Sequence, residues 1–279
     1  MGSTGRRYVV ALWLGVAVVG AGGCATLPPQ QSDRLEVAPY DYNNVLLDRR
    51  EMSIERIVES MVTIRTMAEF RREDGGLLQR DMEGTGVVLL GKYILTLNHV
   101  ASIKQIEHRT PFGTLVEPAT KVAELTTLQW NGKEVPLERA LVDEGEDVLI
   151  FRVPDRVRLP SFPYRIGNSD DLRLGNFVYV IGNPMNSGIN VREGIVSNLR
   201  PPGMLGTIAR LGSIFMVSNG LNPGDSGTPV VALRDGQFEL VGLAQGTIMN
   251  SQRMGWAVKI NTILGLIHAM EAREGASKK

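Results

Sequence analysis

The sequence predicts an all-β domain of sandwich or barrel type, closed by one C-terminal helix. Three observations carry this. Short β-rich runs recur from about Ser53 onward, with Gly, Pro and Asn between them. A sustained helical period appears only near residue 260. About 200 residues of such strands suffice for two small barrels.

The runs are Met61–Met67, Gly86–Leu90, Tyr93–Leu97, Thr126–Trp130, Val148–Val153, Asn176–Ile181, Gly194–Leu199, Phe215–Ser218, Pro229–Ala232, Leu240–Ala244 and Gly255–Val258. Each mixes β-branched and aromatic residues that suit a half-buried pleated surface. Ile260, Ile263, Leu264, Ile267 and Met270 then fall on one helical face, predicting a helix over about 261–273. No long internal repeat is visible.

The first 52 residues read differently. Arg6 and Arg7 precede an uncharged stretch from Tyr8 to Gly23, and small residues Ala21-Gly22-Gly23 lead into Cys24. Sixteen uncharged residues are fewer than the ~20 a membrane-spanning helix needs, but suit a signal-peptide core. Residues 25–52 carry Pro28, Pro29, Gln30 and Gln31 with little apolar periodicity, as a tether would. Fully extended, the tether spans roughly 90 Å at about 3.3 Å per residue.

Composition excludes several functions. The 30 Lys+Arg balance 30 Asp+Glu, without the basic excess of a nucleic-acid binder, so no nucleic-acid partner is expected. One cysteine cannot form an intrachain disulfide or a Cys-x-x-Cys zinc pair. The only histidines are His99, His108 and His268, and no His-Glu-x-x-His occurs, so neither metal nor cofactor is expected. The stretch from Gly86 to Tyr93 nearly matches a phosphate-binding P-loop. It fails at Tyr93, where Ser or Thr should bind magnesium.

Three segments carry chemistry. In Gly84 to Val100 (GTGVVLLGKYILTLNHV), two strands meet at Gly91-Lys92 and the second ends at His99. A lone histidine on an apolar strand is more often structural than catalytic. In Glu146 to Val153 (EDVLIFRV), Asp147 opens an apolar strand, where burial lets it orient an imidazole; the plain alternative is a surface turn acid. In Asn222 to Pro229 (NPGDSGTP), glycines flank Ser226 and allow backbone N–H groups to converge beside its hydroxyl, as an oxyanion hole requires.

Together, in the order His, Asp, Ser, these segments resemble the chymotrypsin-like serine proteases, and within them the bacterial HtrA/Deg branch. Thr96-Leu-Asn-His-Val is similar to that branch's Thr-Asn-Asn-His-Val, and Asn222-Pro-Gly-Asp-Ser-Gly-Thr-Pro to Asn-Pro-Gly-Asn-Ser-Gly-Gly-Pro. Val180-Ile-Gly-Asn-Pro, Gly194-Ile-Val-Ser-Asn and Gly255-Trp-Ala-Val resemble further family segments. The resemblance covers about residues 54–268. It implies two six-stranded β-barrels, at about 54–160 and 163–260, in a protease domain of residues 53–279, with the active site between them. The catalytic residues would be His99, Asp147 and Ser226, and the oxyanion hole Gly224, Asp225 and Ser226. Family position puts Gly220 and Leu221 at the base of the substrate pocket and Leu243, Ala244 and Gln245 along one wall. No acid lies at that base, so cleavage is expected after small or medium aliphatic residues of unfolded or exposed polypeptides, without a cofactor.

The N-terminus resembles a bacterial lipoprotein signal, with Ala21 where leucine is usual. It implies cleavage of residues 1–23, lipidation of Cys24, a tether over 24–52 and a membrane-anchored envelope protein. Ala25 would favour the periplasmic face of the outer membrane in a two-membrane organism. A simple secretory signal or uncleaved anchor is the alternative.

Some features depart from the family. Asp147 follows His99 by 48 residues, with the excess expected in a surface loop around 108–124. Thr228 replaces a glycine. Asp225 replaces asparagine and matches the digestive enzymes, where that aspartate pairs with an N-terminus freed by cleavage. Arg56-Ile57-Val58-Glu59 loosely resembles such a site, although Glu59-Ser60 lacks turn-forming glycines and packing accounts for Ile57-Val58. The chain stops at Lys279, so a following peptide-binding PDZ domain is not expected; the oligomer is left open. The rival reading is a lipoprotein chaperone or envelope binding protein that keeps the protease fold with little activity.

Overall fold

Strand β1 (Met61–Arg72) alternates buried and exposed positions, with Val62, Ile64, Thr66, Ala68 and Phe70 turned inward. Its antiparallel partner β2 (Leu77–Leu89) alternates until Thr85 and is then continuously buried. The computed structural model describes residues 53–277 apart from 111–112, 184–187, 208 and 249–250. The predicted signal, Cys24 and the tether lie outside the described residues.

The first sheet adds β3 (Tyr93–Leu97), β6 (Ala119–Trp130), β7 (Lys133–Pro136), β8 (Glu138–Asp143) and β9 (Val148–Arg152), in the order β7-β6-β1-β2-β3-β9-β8. The β2–β3 hairpin turns at Leu90 and Gly91, with φ of 54° and 62°. Leu89 pairs with Tyr93, so Leu90, Gly91 and Lys92 form the connection, and the Lys92 N–H closes it on the Leu89 carbonyl at 3.1 Å. The expected Gly91-Lys92 thus lies within the turn, and Leu90 beside it is exposed.

The second sheet comprises β10 (Arg165–Ile166), β11 (Phe177–Gly182), β12 (Asn190–Asn198), β13 (Ile214–Val217), β14 (Pro229–Arg234), β15 (Gln237–Thr247) and β16 (Gly255–Lys259). Six of them close a barrel, because β15 pairs with both β14 and β16; β10 adds to β15 in parallel. The predicted all-β double-barrel architecture with a C-terminal helix is therefore present. The second half is a closed six-stranded barrel. The first is a seven-stranded sheet without a closing pair among the described residues.

The expected surface loop around 108–124 is instead a hairpin, β4 (Ile106–Thr110) and β5 (Gly113–Glu117), running into β6. β6 continues antiparallel to the outer part of β1, so this stretch has backbone partners.

Helix α1 (Ile54–Glu59) is capped by Ser53, whose hydroxyl accepts from the Arg56 N–H at 3.4 Å. Its Ile57 is fully buried. Helix α2 (Ile260–Ser277) buries Ile260, Ile263, Ile267 and Met270, the predicted face. One hydrophobic cluster contains these residues together with Tyr93, Leu95 and Ile150 of the first sheet and Val231, Leu240 and Leu243 of the second. Glu271 of α2 accepts from Lys92 at 2.6 Å and from the Tyr93 hydroxyl at 2.7 Å. The helix therefore joins the two halves through both apolar packing and polar contacts.

Candidate active site

His99 sits on a short 3₁₀ turn, Asn98–Val100, directly after β3. Asn98 and Val100 are buried and anchor the turn, which leaves the His99 side chain outward at 47% exposure. Upstream, the Thr96 hydroxyl donates to the Thr85 carbonyl at 2.7 Å and ties the strand end to β2.

Asp147 closes the loop into β9 with φ of 57°. A non-glycine residue there is sterically costly and points to a site the surroundings over-determine. The three oxygens of Asp147 are all engaged. Its carbonyl accepts from the Asn98 N–H at 2.9 Å, and Oδ1 from the His99 N–H at 2.9 Å. Oδ2 lies 2.5 Å from His99 Nδ1. Such a pair holds the imidazole with Nδ1 toward the carboxylate and leaves Nε2 to exchange protons.

Gln245, on β15 of the second barrel, supports this pair across the divide. Its Nε2 donates to the Glu146 carbonyl at 3.1 Å and reaches Asp147 Oδ2 at 3.5 Å. Its Oε1 accepts from the Trp256 indole at 3.1 Å. The Trp256 ring lies over Gly246, where a Cβ would sit 2.4 Å from the indole.

Ser226 lies in a tight turn between β13 and β14. The Asp225 N–H donates to the Asn222 carbonyl at 3.0 Å, and Gly224 takes φ of 97°. The Gly227 N–H donates to Ala244 and the Thr228 N–H to Asp225. Among the described residues, the N–H groups of Gly224 and Ser226 have no protein acceptor. Asp225, expected among the oxyanion donors, spends its own N–H within the turn. Gly227, at φ of 84°, presses on β2: a Cβ there would lie 2.3 Å from the Thr85 carbonyl oxygen. The serine turn is thus seated against the strand pair that leads to His99. No hydrogen bond joins His99 to Ser226 among the described residues. Catalytic contacts of this kind often tighten only when substrate binds.

The remaining observation is a family match. The trypsin-like peptidase domain matches residues 84–243. The chain belongs to the trypsin-like peptidase family. The "Protease Do-like 8, chloroplastic" of Arabidopsis thaliana is 27% identical over 187 residues, covering 66% of this chain and 40% of that protein. "Serine protease HTRA1" of Xenopus tropicalis is 24% identical over 100% of this chain and 56% of its own length. The "Periplasmic pH-dependent serine endoprotease DegQ" of Escherichia coli is 26% identical, over 64% and 35%. The chain therefore spans about a third to just over half of these relatives. A variant of the HtrA-type protease AlgW, solved with a decapeptide, superposes with a TM-score of 0.60 at 21% identity, covering 78% of this chain and 65% of that one.

In this trypsin-like peptidase a groove of about 1040 Å³ runs past His99 and Asp147, lined also by Asn98, Gln245 and Trp256. The residues expected at the substrate pocket divide. Gly220 is exposed. Leu221 packs against Val217 and Gly255 inside the second barrel. Leu243 and Ala244 are fully buried, so their side chains face the core and only their backbone can meet a substrate. Gln245 lines the groove and also supports Asp147. Sequence reasoning missed that role, and missed Trp256, because both depend on a pairing between distant strands. Among the described residues no group of three or more His, Cys, Asp or Glu could hold a metal ion.

Proposed function

We propose that the protein is a serine endopeptidase acting on unfolded or exposed polypeptides. The observation that carries this is the His99–Asp147 pair at 2.5 Å, beside a Ser226 turn with two unpaired N–H groups. Ser226 Oγ attacks the peptide carbonyl as His99 Nε2 takes its proton, and Asp147 stabilises the imidazolium. The Gly224 and Ser226 N–H groups hold the developing oxyanion. His99 returns the proton to the leaving amine, and water clears the acyl-enzyme by the same steps. Names of relatives such as the periplasmic DegQ, and the AlgW structures with peptides, support the substrate class and an envelope location.

Cleavage is proposed after small or medium aliphatic residues. Leu221 is apolar and packs at Gly255, and the Asp225 carboxylate is paired with Arg192, which supports an aliphatic over a basic side chain. A panel of peptides on an unfolded carrier should show aliphatic residues before the cut bond; strong Arg or Lys preference would overturn the assignment.

The Ala21-Gly22-Gly23-Cys24 pattern supports a lipid on Cys24 that anchors the mature protein to a membrane, and in a two-membrane organism Ala25 favours the outer one. Palmitate should label the full chain in a bacterial host and be lost in Cys24→Ser; equal labelling of both contradicts the anchor.

A further inference from the structure

A buried ion pair lies directly beside Ser226, and the reaction as described leaves it without a task. Asp225 is 1% exposed and Arg192, from β12, 18%. The guanidinium grips the carboxylate with both arms, Nη2 to Oδ1 at 2.5 Å and Nη1 to Oδ2 at 2.6 Å. Nη1 also donates to the Gly220 carbonyl at 2.8 Å, and Asp225 Oδ2 accepts the Asn222 N–H at 2.7 Å. Arg192 shares the inner face of its strand with Gly194 and Val196, and the Arg192 carbonyl is bound by Asn219 at 2.7 Å. Gly182 closes over the pair, since a Cβ there would lie 2.6 Å from Asp225 Oδ1.

A carboxylate removed from water needs a matched partner, and only arginine offers a planar two-armed one. Here the match does more than neutralise. One guanidinium binds both Gly220 and Asp225, the two ends of the segment that leads into Ser226. The same carboxylate fixes Asn222 between them. Asp225 also stands between the two residues whose N–H groups lack acceptors, Gly224 and Ser226. Where the Asp225 side chain is held, the direction of those two peptide groups follows.

We propose that Arg192 and Asp225 are positioning residues. Their ion pair holds residues 220–226 so that the Gly224 and Ser226 N–H groups face the substrate carbonyl. This rests on the serine endopeptidase reading. It also makes the oxyanion donors self-sufficient: the charge that orders them belongs to β12 of the same chain and needs no cleavage near Arg56, which lies within α1.

The test compares the full chain with Arg192→Met, Arg192→Lys, Arg192→Ala and Ser226→Ala, measuring Tm, fluorophosphonate labelling rate, kcat and KM. In Arg192→Met, labelling and kcat should fall about 100-fold, the order lost with one oxyanion donor. KM should stay within about twofold, because the lost interaction belongs to the transition state. The loss should persist far below the variant's Tm, which a purely structural role would not produce. Low-millimolar guanidinium ion should recover part of the rate in Arg192→Ala. Arg192→Lys keeps the charge without the fork and should fall between; it carries the test if Arg192→Met does not fold. Wild-type labelling and kcat in either folded variant, with Ser226→Ala silent, overturns the positioning role alone. A wild-type chain that does not label overturns the protease reading and this proposal together.

Discussion

Asp147 holds a backbone conformation that non-glycine residues rarely adopt, and its surroundings explain why it stays there. Four hydrogen bonds, from Asn98, the His99 backbone, the His99 ring and Gln245, converge on it. Gln245 is the least obvious of these partners. Removing it leaves the Trp256 indole N–H and the Glu146 carbonyl without their side-chain partner. Gln245→Ala should therefore cost ~1–3 kcal/mol of stability, read as a lower urea midpoint. It should also slow Ser226 labelling beyond what the folded fraction explains; wild-type labelling by the folded variant would contradict the supporting role. His99, Asp147 and Ser226 could be singled out in the sequence because each sits in a short local motif whose residue types suit the proposed chemistry. Gln245 and Arg192 could not, because their roles come from contacts between distant strands. For Leu243 and Ala244 family position located the strand, but strand pairing decided that their side chains point into the core.

At the scale of elements, hairpins follow local turn chemistry and the helix follows its period. Asn131-Gly132 takes φ of 48° and 73° between β6 and β7, and Asp235-Gly236 takes 51° and 69° between β14 and β15. Both are the dipeptides that favour such turns, and the first would have revealed β7. The hairpin β4–β5 was hidden because its residues are largely polar and lack clean alternation. Helix α2 is fastened at both ends. Hydrogen bonds from Lys92 and then Tyr93 hold the Glu271 carboxyl below the usual glutamate range, and those from Asn261 and then Lys259 do the same for Asp170. Both groups have folded-state pKa values below their unfolded ones. Their stabilisation is complete above the ordinary carboxylate range and is lost as pH falls through the lowered values. Glu271→Gln should lower Tm at pH 7, and the difference from wild type should shrink below about pH 4.5. A difference that stays constant or grows as pH falls would contradict the fastening.

Over the whole molecule, a single apolar cluster runs from the first sheet through the second barrel to α2. The two halves carry different parts of the proposed chemistry. His99 and Asp147 belong to the first, and Ser226, Gln245 and Arg192 to the second. The double-barrel plan was legible from strand spacing and the His-Asp-Ser order. The open edge of the first sheet was not, because strand closure depends on which edges pair. The central claim is that these parts make one nucleophilic site at Ser226. Its most direct test is fluorophosphonate labelling of the full chain, with the modified peptide mapped by mass. The account predicts one phosphonylated residue, Ser226, with labelling abolished in Ser226→Ala and strongly reduced in His99→Ala. Labelling at another residue, or undiminished labelling in Ser226→Ala, would contradict it.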